Sequence, residues 1–342
     1  MGFLKDFLKF RVEGMSKDMN YIAEGIDRLI TLDIRARGVI YKLYDAARRL
    51  CDGPLTLTAA QKIADKLNNG DKVILTTGFM VLPKKVQETD GPLGVSALAK
   101  SLMVAFNAKP IILIEEESKE IMASALSALN LTVKVDKEEF EEEKNSVLLA
   151  SFPIKVEEAT EIAKRILDEY TPKGVIAIEK AGRNSKGEYH TMSGVNISSF
   201  HAKIELLIEE ALARGILTIG IGDGGNEVGM GNIRDTVEKY VPQAAVCQCP
   251  CKGGIAAESK VDLLVTAAIS NWGAYGIEAS IAVVTGRNGA LHTVEEEERM
   301  LKYLVKSGAV DGVTGKRELS VDNVPLKVHT SIIKILEGFI GK

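Results

Sequence analysis

Residues 216–232 read Ile-Leu-Thr-Ile-Gly-Ile-Gly-Asp-Gly-Gly-Asn-Glu-Val-Gly-Met-Gly-Asn. A seven-residue apolar run that stops in a glycine-dense acidic segment is the pattern of a buried strand delivering a polar loop at its carboxyl end. The same grammar recurs at KVILTTG (72–78), PIILIE (110–115), LTVKVD (131–136), SVLLAS (146–151), GVIAIE (174–179) and DLLVTAA (262–268). Most of these runs are followed by amphipathic helical stretches. Short apolar strands separated by helices imply right-handed crossovers, hence parallel strands with helices over both faces. The fold expected is therefore α/β, a doubly wound and mostly parallel sheet.

Ahead of the first strand, Ile22, Ile26, Leu29 and Ile30, then Ile40, Leu43 and Ala47, recur at helical spacing as far as Gly53-Pro54. We read residues 1–54 as a helical lead that packs on the body or on another subunit, and residues 55–342 as the α/β domain. Thr58-Ala-Ala-Gln61 has capping-box spacing and is expected to open the helix before the first strand.

With 342 residues and 46% hydrophobic composition, the chain can bury a large core. Its 43 basic and 47 acidic residues nearly cancel, so no field favours a nucleic-acid partner. No apolar stretch is long enough for a membrane span, and FLKDFLKF at the N-terminus is broken by Lys5, Asp6 and Lys9, so a cytoplasmic location is expected. Cys51 stands alone and Cys247, Cys249 and Cys251 lie together in CQCPC, too few for a disulfide framework. On an extended segment alternate thiols point to opposite faces, and no neighbouring histidine in the sequence offers a fourth ligand, so ordinary loop thiols are expected rather than a metal site.

The chemistry-bearing residues fall just beyond strand ends. In an open parallel sheet those ends share one edge, and ligands bind there. The loop after residue 222 offers Asp223, Asn226 and Glu227, oxygen ligands suited to Mn2+ or Mg2+, among Gly224 and Gly225, which let the backbone approach a ligand. Glu179 ends another strand and is followed by Lys180, Arg183, Asn184 and His190, a set suited to anion binding and proton transfer. Thr77 and Gly78 end the first strand. Asp90 and Gly91 precede the helical run of VSALAKSLMVAF, where Asp90 fits an N-cap and the free N–H groups fit an anion. Ser270-Asn-Trp-Gly-Ala-Tyr-Gly276 reads as a fourth polar loop before a helix starting near Gly276, with Asn271 a substrate-binding candidate. His201, His292 and His329 lack such company and read as structural.

TTGF, ETDGPLGVSALAKSL, IEKAGRNSKGEYHTMSG, GIGDGGNEVGMGNI and SNWGAYGIEA, in that order over roughly residues 55–290, resemble the C-terminal domain family of mitochondrial D-glutamate cyclase. The resemblance implies an α/β domain found both fused and alone, and a lyase that closes D-glutamate to 5-oxo-D-proline with loss of water. The residues themselves suggest a site in which Glu179, Asp223, Glu227, Asn226 and Asp90 hold the cation. In it Arg183 clamps a carboxylate, His190 and Lys180 serve proton transfer, and Thr77, Gly78, Gly91, Asn184, Gly224, Gly225 and Asn271 shape the substrate pocket. The ligand expected is a small anionic metabolite, with self-association through the N-terminal helices. The same parts suit a metal-dependent phosphoester hydrolase, or a protein that binds a small ligand without turnover.

Overall fold

A computed structural model describes residues 18–340. The FLKDFLKF segment and the first part of the helical lead lie outside the described residues. Each of the seven apolar runs forms a strand: β1 (Lys72–Gly78), β2 (Lys109–Ile114), β3 (Thr132–Lys134), β4 (Ser146–Ser151), β5 (Gly174–Lys180), β6 (Leu217–Gly222) and β7 (Leu263–Thr266). They make one sheet in the order β3-β4-β2-β1-β5-β6-β7, and every pairing is parallel. β5, β6 and β7 are buried at every residue, as strands covered on both faces must be. β3, at one edge, is shorter than its apolar run and partly exposed, whereas β7 at the other edge is covered by the helices Ile40–Arg48 and Leu55–Lys66.

The chain winds outward from β1 to β2, then returns to lay β5 on the other side of β1. Right-handed crossovers in opposite directions put their helices on opposite faces. Accordingly the helices Pro92–Phe106 and Ser270–Thr285 pack together, as do Val156–Tyr170 and Glu205–Ala213. The connections reverse between β1 and β5, so a crevice opens beyond their carboxyl ends.

Two expected boundaries differ. The polar SNWGAYG segment is the first two turns of the helix Ser270–Thr285 rather than a loop. Gly273 belongs inside the helix because a Cβ there would stand 2.5 Å from Ile221 Cγ2, so glycine lets the helix lie close on β6. The helix Leu55–Lys66 starts three residues before Thr58, whose hydroxyl merely donates to Pro54 O. Its cap comes from far away: the buried Asp27 carboxylate accepts from Leu55 N (2.6 Å), Thr56 N (3.1 Å) and Thr56 Oγ1 (2.6 Å). Asp27 sits on a helix over 18–30 whose Ile26 and Ile30 are buried in the main core together with Leu43 of the helix Ile40–Arg48. Among the described residues, no helix is long and apolar enough to cross a membrane.

Candidate active site

β1 and β5 leave the sheet side by side, and at their ends the register slips: Thr77 faces Ile178, but Gly78 faces Lys180. Glu179 is the extra residue of this bulge and holds φ +46°, a conformation that costs a non-glycine residue of order 1 kcal/mol or more. The bulge leaves Glu179 on the acidic side of the crevice, where Ser270 Oγ donates to its Oε2 at 2.5 Å. Gly91 lies against it, since a Cβ at Gly91 would stand 3.1 Å from Glu179 Cβ and 2.0 Å from Thr77 Oγ1.

The loop after β6 is organised by its own glutamate. Glu227 Oε1 accepts from Asp223 N (2.9 Å) and Gly224 N (2.6 Å), and Oε2 accepts from Gly225 N (2.6 Å). Three successive amides gathered on one carboxylate fix the loop and turn Asp223 toward the crevice. Asn226 donates its amide to His190 O at 2.8 Å, and its side-chain oxygen is buried with no donor among the described residues.

Asp90 does not cap the helix that follows it. Its carboxylate accepts from Ser270 N (3.0 Å) and Asn271 N (2.9 Å), capping the helix Ser270–Thr285, while Asn271 Oδ1 accepts from Gly91 N (2.9 Å) and Gly94 N (2.8 Å) at the start of Pro92–Phe106. The two helices cap each other. The exchange occupies the N–H groups of Gly91 and Gly94, so Gly91 and Asn271 act as scaffold at the anion position expected there.

Ligand oxygens of Glu179, Asp223 and Glu227 lie within 4.8 Å of one another, as do those of Asp90, Asp223 and Asp322. The crevice thus brings together Glu179, Asp90 and the Asp223, Asn226 and Glu227 of one loop, from three separate stretches of the chain, and adds residues that the sequence pattern did not point to. Asp322 arrives on the hairpin Ser320–Val321/Val324–Pro325, whose turn residues Asp322 and Asn323 both have positive φ, as a type I′ turn requires. An Asp-Asn pair between valines is a legible hairpin signal, although the destination of the turn is not. Glu88 lines the same cleft and keeps one buried oxygen without a partner.

Two cations come from the N-terminal lead. Arg35 Nη2 donates to Asp223 Oδ2 at 2.6 Å and Nη1 to Asp322 Oδ2, and Arg37 Nη1 lies 3.3 Å from Asp223 Oδ2. They sit on a loop with Ala36 at φ +52°, tied by Asp33 to Arg37 N and Gly38 N. Periodicity presents this segment as packing helices and gives no hint that its loop reaches the cleft.

Two arginines do not balance the acids. Burial, then Asp322 and Asp90, raise Glu88 well above the usual carboxylate range, and burial followed by Asp322 and Asp223 does the same for Asp90. Glu179 is raised well above that range by burial and then by Glu227 and Asp223. Burial and Asp223 push Glu227 up to about 7 against the pull of its amide donors, and push Asp322 up to about 7 against Arg35 and Arg37. Such a cluster holds protons or a cation in place of full ionisation. It opens to a cleft of ≈1200 Å³ lined by Arg35, Arg37, Met80, Met192, Asp223 and Asp322 among others.

The expected proton-transfer and clamping residues stand elsewhere. Lys180 is fully buried and donates to Glu115 Oε1 at 2.5 Å; that carboxylate also accepts from Ala202 N and lies 3.2 Å from His201 Nδ1. Arg183 makes a two-pronged pair with Glu209, at 2.7 and 2.9 Å. Asn184 donates to Gly254 O (2.7 Å) and accepts from Lys186 N and Glu188 N, so it holds its own loop. The His190 ring turns away from the acids: Nε2 is 3.1 Å from Cys249 Sγ and 3.6 Å from Cys251 Sγ. This corrects the expectation that the cysteines lack a histidine, because a residue about 60 positions away in sequence is brought beside them by the loop after β5. Trp272 packs beneath the site, donating to His329 Nδ1 at 2.9 Å.

The profile of the D-glutamate cyclase-like, C-terminal family matches residues 26–337. The chain belongs to this family. The match begins at Ile26, so the family's domain includes the segment that carries Asp27, Arg35 and Arg37. Among curated proteins the chain is 29% identical over 309 residues to human mitochondrial D-glutamate cyclase, covering 80% of this chain and 47% of that protein. It therefore spans about half the length of the relative it matches.

Proposed function

We propose that the acidic crevice is a cation-assisted catalytic site that acts on an acidic amino acid, closing glutamate, with D-glutamate the first candidate, to its five-membered lactam with loss of water. The observation that carries the reading is the gathering of Glu179, Asp223 and Glu227 oxygens within 4.8 Å at the end of the sheet, with Asn226 lining the same cleft, in a chain of this family.

The donor set fits a hard divalent cation such as Mn2+ or Mg2+. Glu227 Oε1 is filled by two amides, and Asp90 Oδ1 likewise by Gly91 N and Asn271 N, whereas Asp223 Oδ1 and Glu179 Oε1 accept no hydrogen bond among the described residues. Asp223 and Glu179, with Asn226 Oδ1, would hold the ion, and Glu227 and Asp90 would position the loop and helix that carry them. When bound, the cation supplies Lewis acidity toward a carboxylate that is otherwise a poor electrophile. Arg37, partly exposed at the cleft, is placed to take the α-carboxylate, whereas Arg183 does not line the cleft. Glu88, raised well above the usual carboxylate range by burial and then by Asp322 and Asp90, is placed to give a proton to the departing oxygen, and the protons shed by the attacking ammonium restore it and complete the water.

The test is to incubate the chain with D-glutamate, L-glutamate and p-nitrophenyl phosphate, each with and without MnCl2, and to assay 5-oxoproline and p-nitrophenol. Cation-dependent 5-oxoproline that disappears in Asp223→Ala is expected. Nitrophenol alone would move the chain to phosphoester hydrolysis, and neither product, with ligand binding retained, would make it a binding protein.

A further inference from the structure

CQCPC does not run extended: residues 247–251 pass through bends and turns, with Lys252 N donating to Cys249 O, and the three thiols face one point. We propose that Cys247, Cys249, Cys251 and His190 form a tetrahedral site for a soft divalent cation of the zinc class, and that this ion fastens the rim of the acidic cleft.

The geometry is that of a tetrahedron's corners. Sγ atoms lie 3.3 Å apart for Cys247 and Cys249, 3.4 Å for Cys247 and Cys251, and 3.2 Å for Cys249 and Cys251. His190 Nε2 completes the set at 3.1 and 3.6 Å from two of them, and all four atoms fall within 4.8 Å of one another. With Zn–S near 2.3 Å and Zn–N near 2.0 Å, tetrahedral ligation sets these edges at about 3.8 and about 3.5 Å, so a shift of a few tenths of an ångström receives the ion. None of the four cysteines is in a disulfide. Three sulfurs closer than van der Waals contact gain little from one another as neutral thiols, whereas a shared cation stabilises the gathering.

Further contacts fit thiolate ligation. Gly253 N points at Cys251 Sγ (3.4 Å), and Asn184 Nδ2 lies 3.6 Å from the same sulfur while donating to Gly254 O. Such amide donors are the outer support that metal-bound thiolates use. Gly254 has φ +75° and no room for a Cβ, which would meet Ala244 O at 1.9 Å, so the chain is folded tightly behind the thiols. Cys247 and His190 are almost wholly buried, and Cys249 and Cys251 are partly exposed, leaving a path for the ion.

The site joins two loops, the one after β5 and the one before β7, which also meet through Glu258 N to Arg183 O, Asn184 Nδ2 to Gly254 O and Gln243 Nε2 to Ser193 O. Two residues after His190, Met192 lies against Gly224 of the acidic loop, and Thr191, Met192, Ser193 and Pro242 form the cleft rim. Asn226, through His190 O, is tied to the same point. An ion here is too far in chemistry from the carboxylates to replace Mn2+ or Mg2+, because thiolate and imidazole select softer metals. The two sites would be loaded independently.

The experiment uses the full chain, expressed without a metal-binding tag. Elemental analysis after gel filtration is expected to give one zinc per chain in wild type and none in Cys249→Ser. Thiol titration of the native protein is expected to find three of the four cysteines protected until a chelator is added. Because Cys249→Ser could fail to fold, wild-type apoprotein is also refilled with Co2+. Strong visible absorption with thiolate-to-cobalt charge transfer marks tetrahedral ligation, and Cys51→Ser is expected to leave it unchanged. A pale octahedral cobalt spectrum, or thiols equally reactive before and after chelation in a zinc-free folded chain, would overturn the proposal.

Discussion

Replacing Glu227 by glutamine separates a loop organiser from a metal ligand. The carboxylate holds three successive amides at 2.6–2.9 Å and is fully buried. Glutamine keeps the shape but has a single oxygen. That oxygen can serve Asp223 N and Gly224 N, which places the new NH2 group against Gly225 N, donor facing donor. One charge-assisted bond is lost, about 1.5–3 kcal/mol, and one buried amide is left unsatisfied, about 1–3 kcal/mol. Relief of the burial and the repulsion from Asp223 that push this carboxyl up to about 7 offsets part of the loss. A net destabilisation of roughly 2–3 kcal/mol is expected, which for a chain of this size lowers the melting temperature by about 3–4 °C. Circular-dichroism melts and urea titrations at pH 7.5 measure it. Asp223→Asn is the control, since the Asp223 side chain bonds arginines rather than backbone, and it is expected to lose cation response more than stability. Should Glu227→Gln melt with the wild type while Asp223→Asn unfolds, the assignment of the two acids is reversed and the reasoning fails.

Asp27→Ala strips the start of the helix Leu55–Lys66 of its cap and is expected to cost about 2–4 kcal/mol in urea titrations while the Mn2+-induced rise in melting temperature stays as in wild type; loss of that rise would tie the lead to the cation directly. Arg35→Met leaves Asp223 and Asp322 short of a counter-charge and is expected to destabilise the metal-free chain by about 3 kcal/mol and to enlarge the stabilisation by MnCl2, read by melts with and without the salt; an unchanged or smaller Mn2+ effect would contradict it. His292, buried between Glu278 and Glu297, is pushed up to about 10 because these carboxylates outweigh its burial. A raised folded-state value means that its stabilisation is complete below the unfolded value of 6.5 and is lost as pH rises toward 10, so urea-derived stability of wild type should fall across that window and that of His292→Gln should fall less. Parallel profiles would show that the imidazole is not charged in the fold.

Amino-acid order alone determined the sheet. Runs such as KVILTTG and ILTIGIG admit no solvent-facing alternation, so each had to be a strand covered on both sides, and the helices between them made the strands parallel. It also determined which loops carry acids and glycines, because these follow strand ends directly. Partners brought from a distance were not legible. Asp90 caps a helix 180 residues away, Asp27 caps one 28 residues away, Arg35 meets Asp322, and His190 meets three cysteines instead of the acids beside it. Each of these depends on a side-chain direction, as where the turns of 247–251 put alternate residues on one side. Periodicity fixes an element's buried face through the hydrophobic effect, which has no direction of its own. Which polar atoms meet is set by hydrogen bonds and ion pairs that exist only once the elements are packed, and so by the tertiary structure.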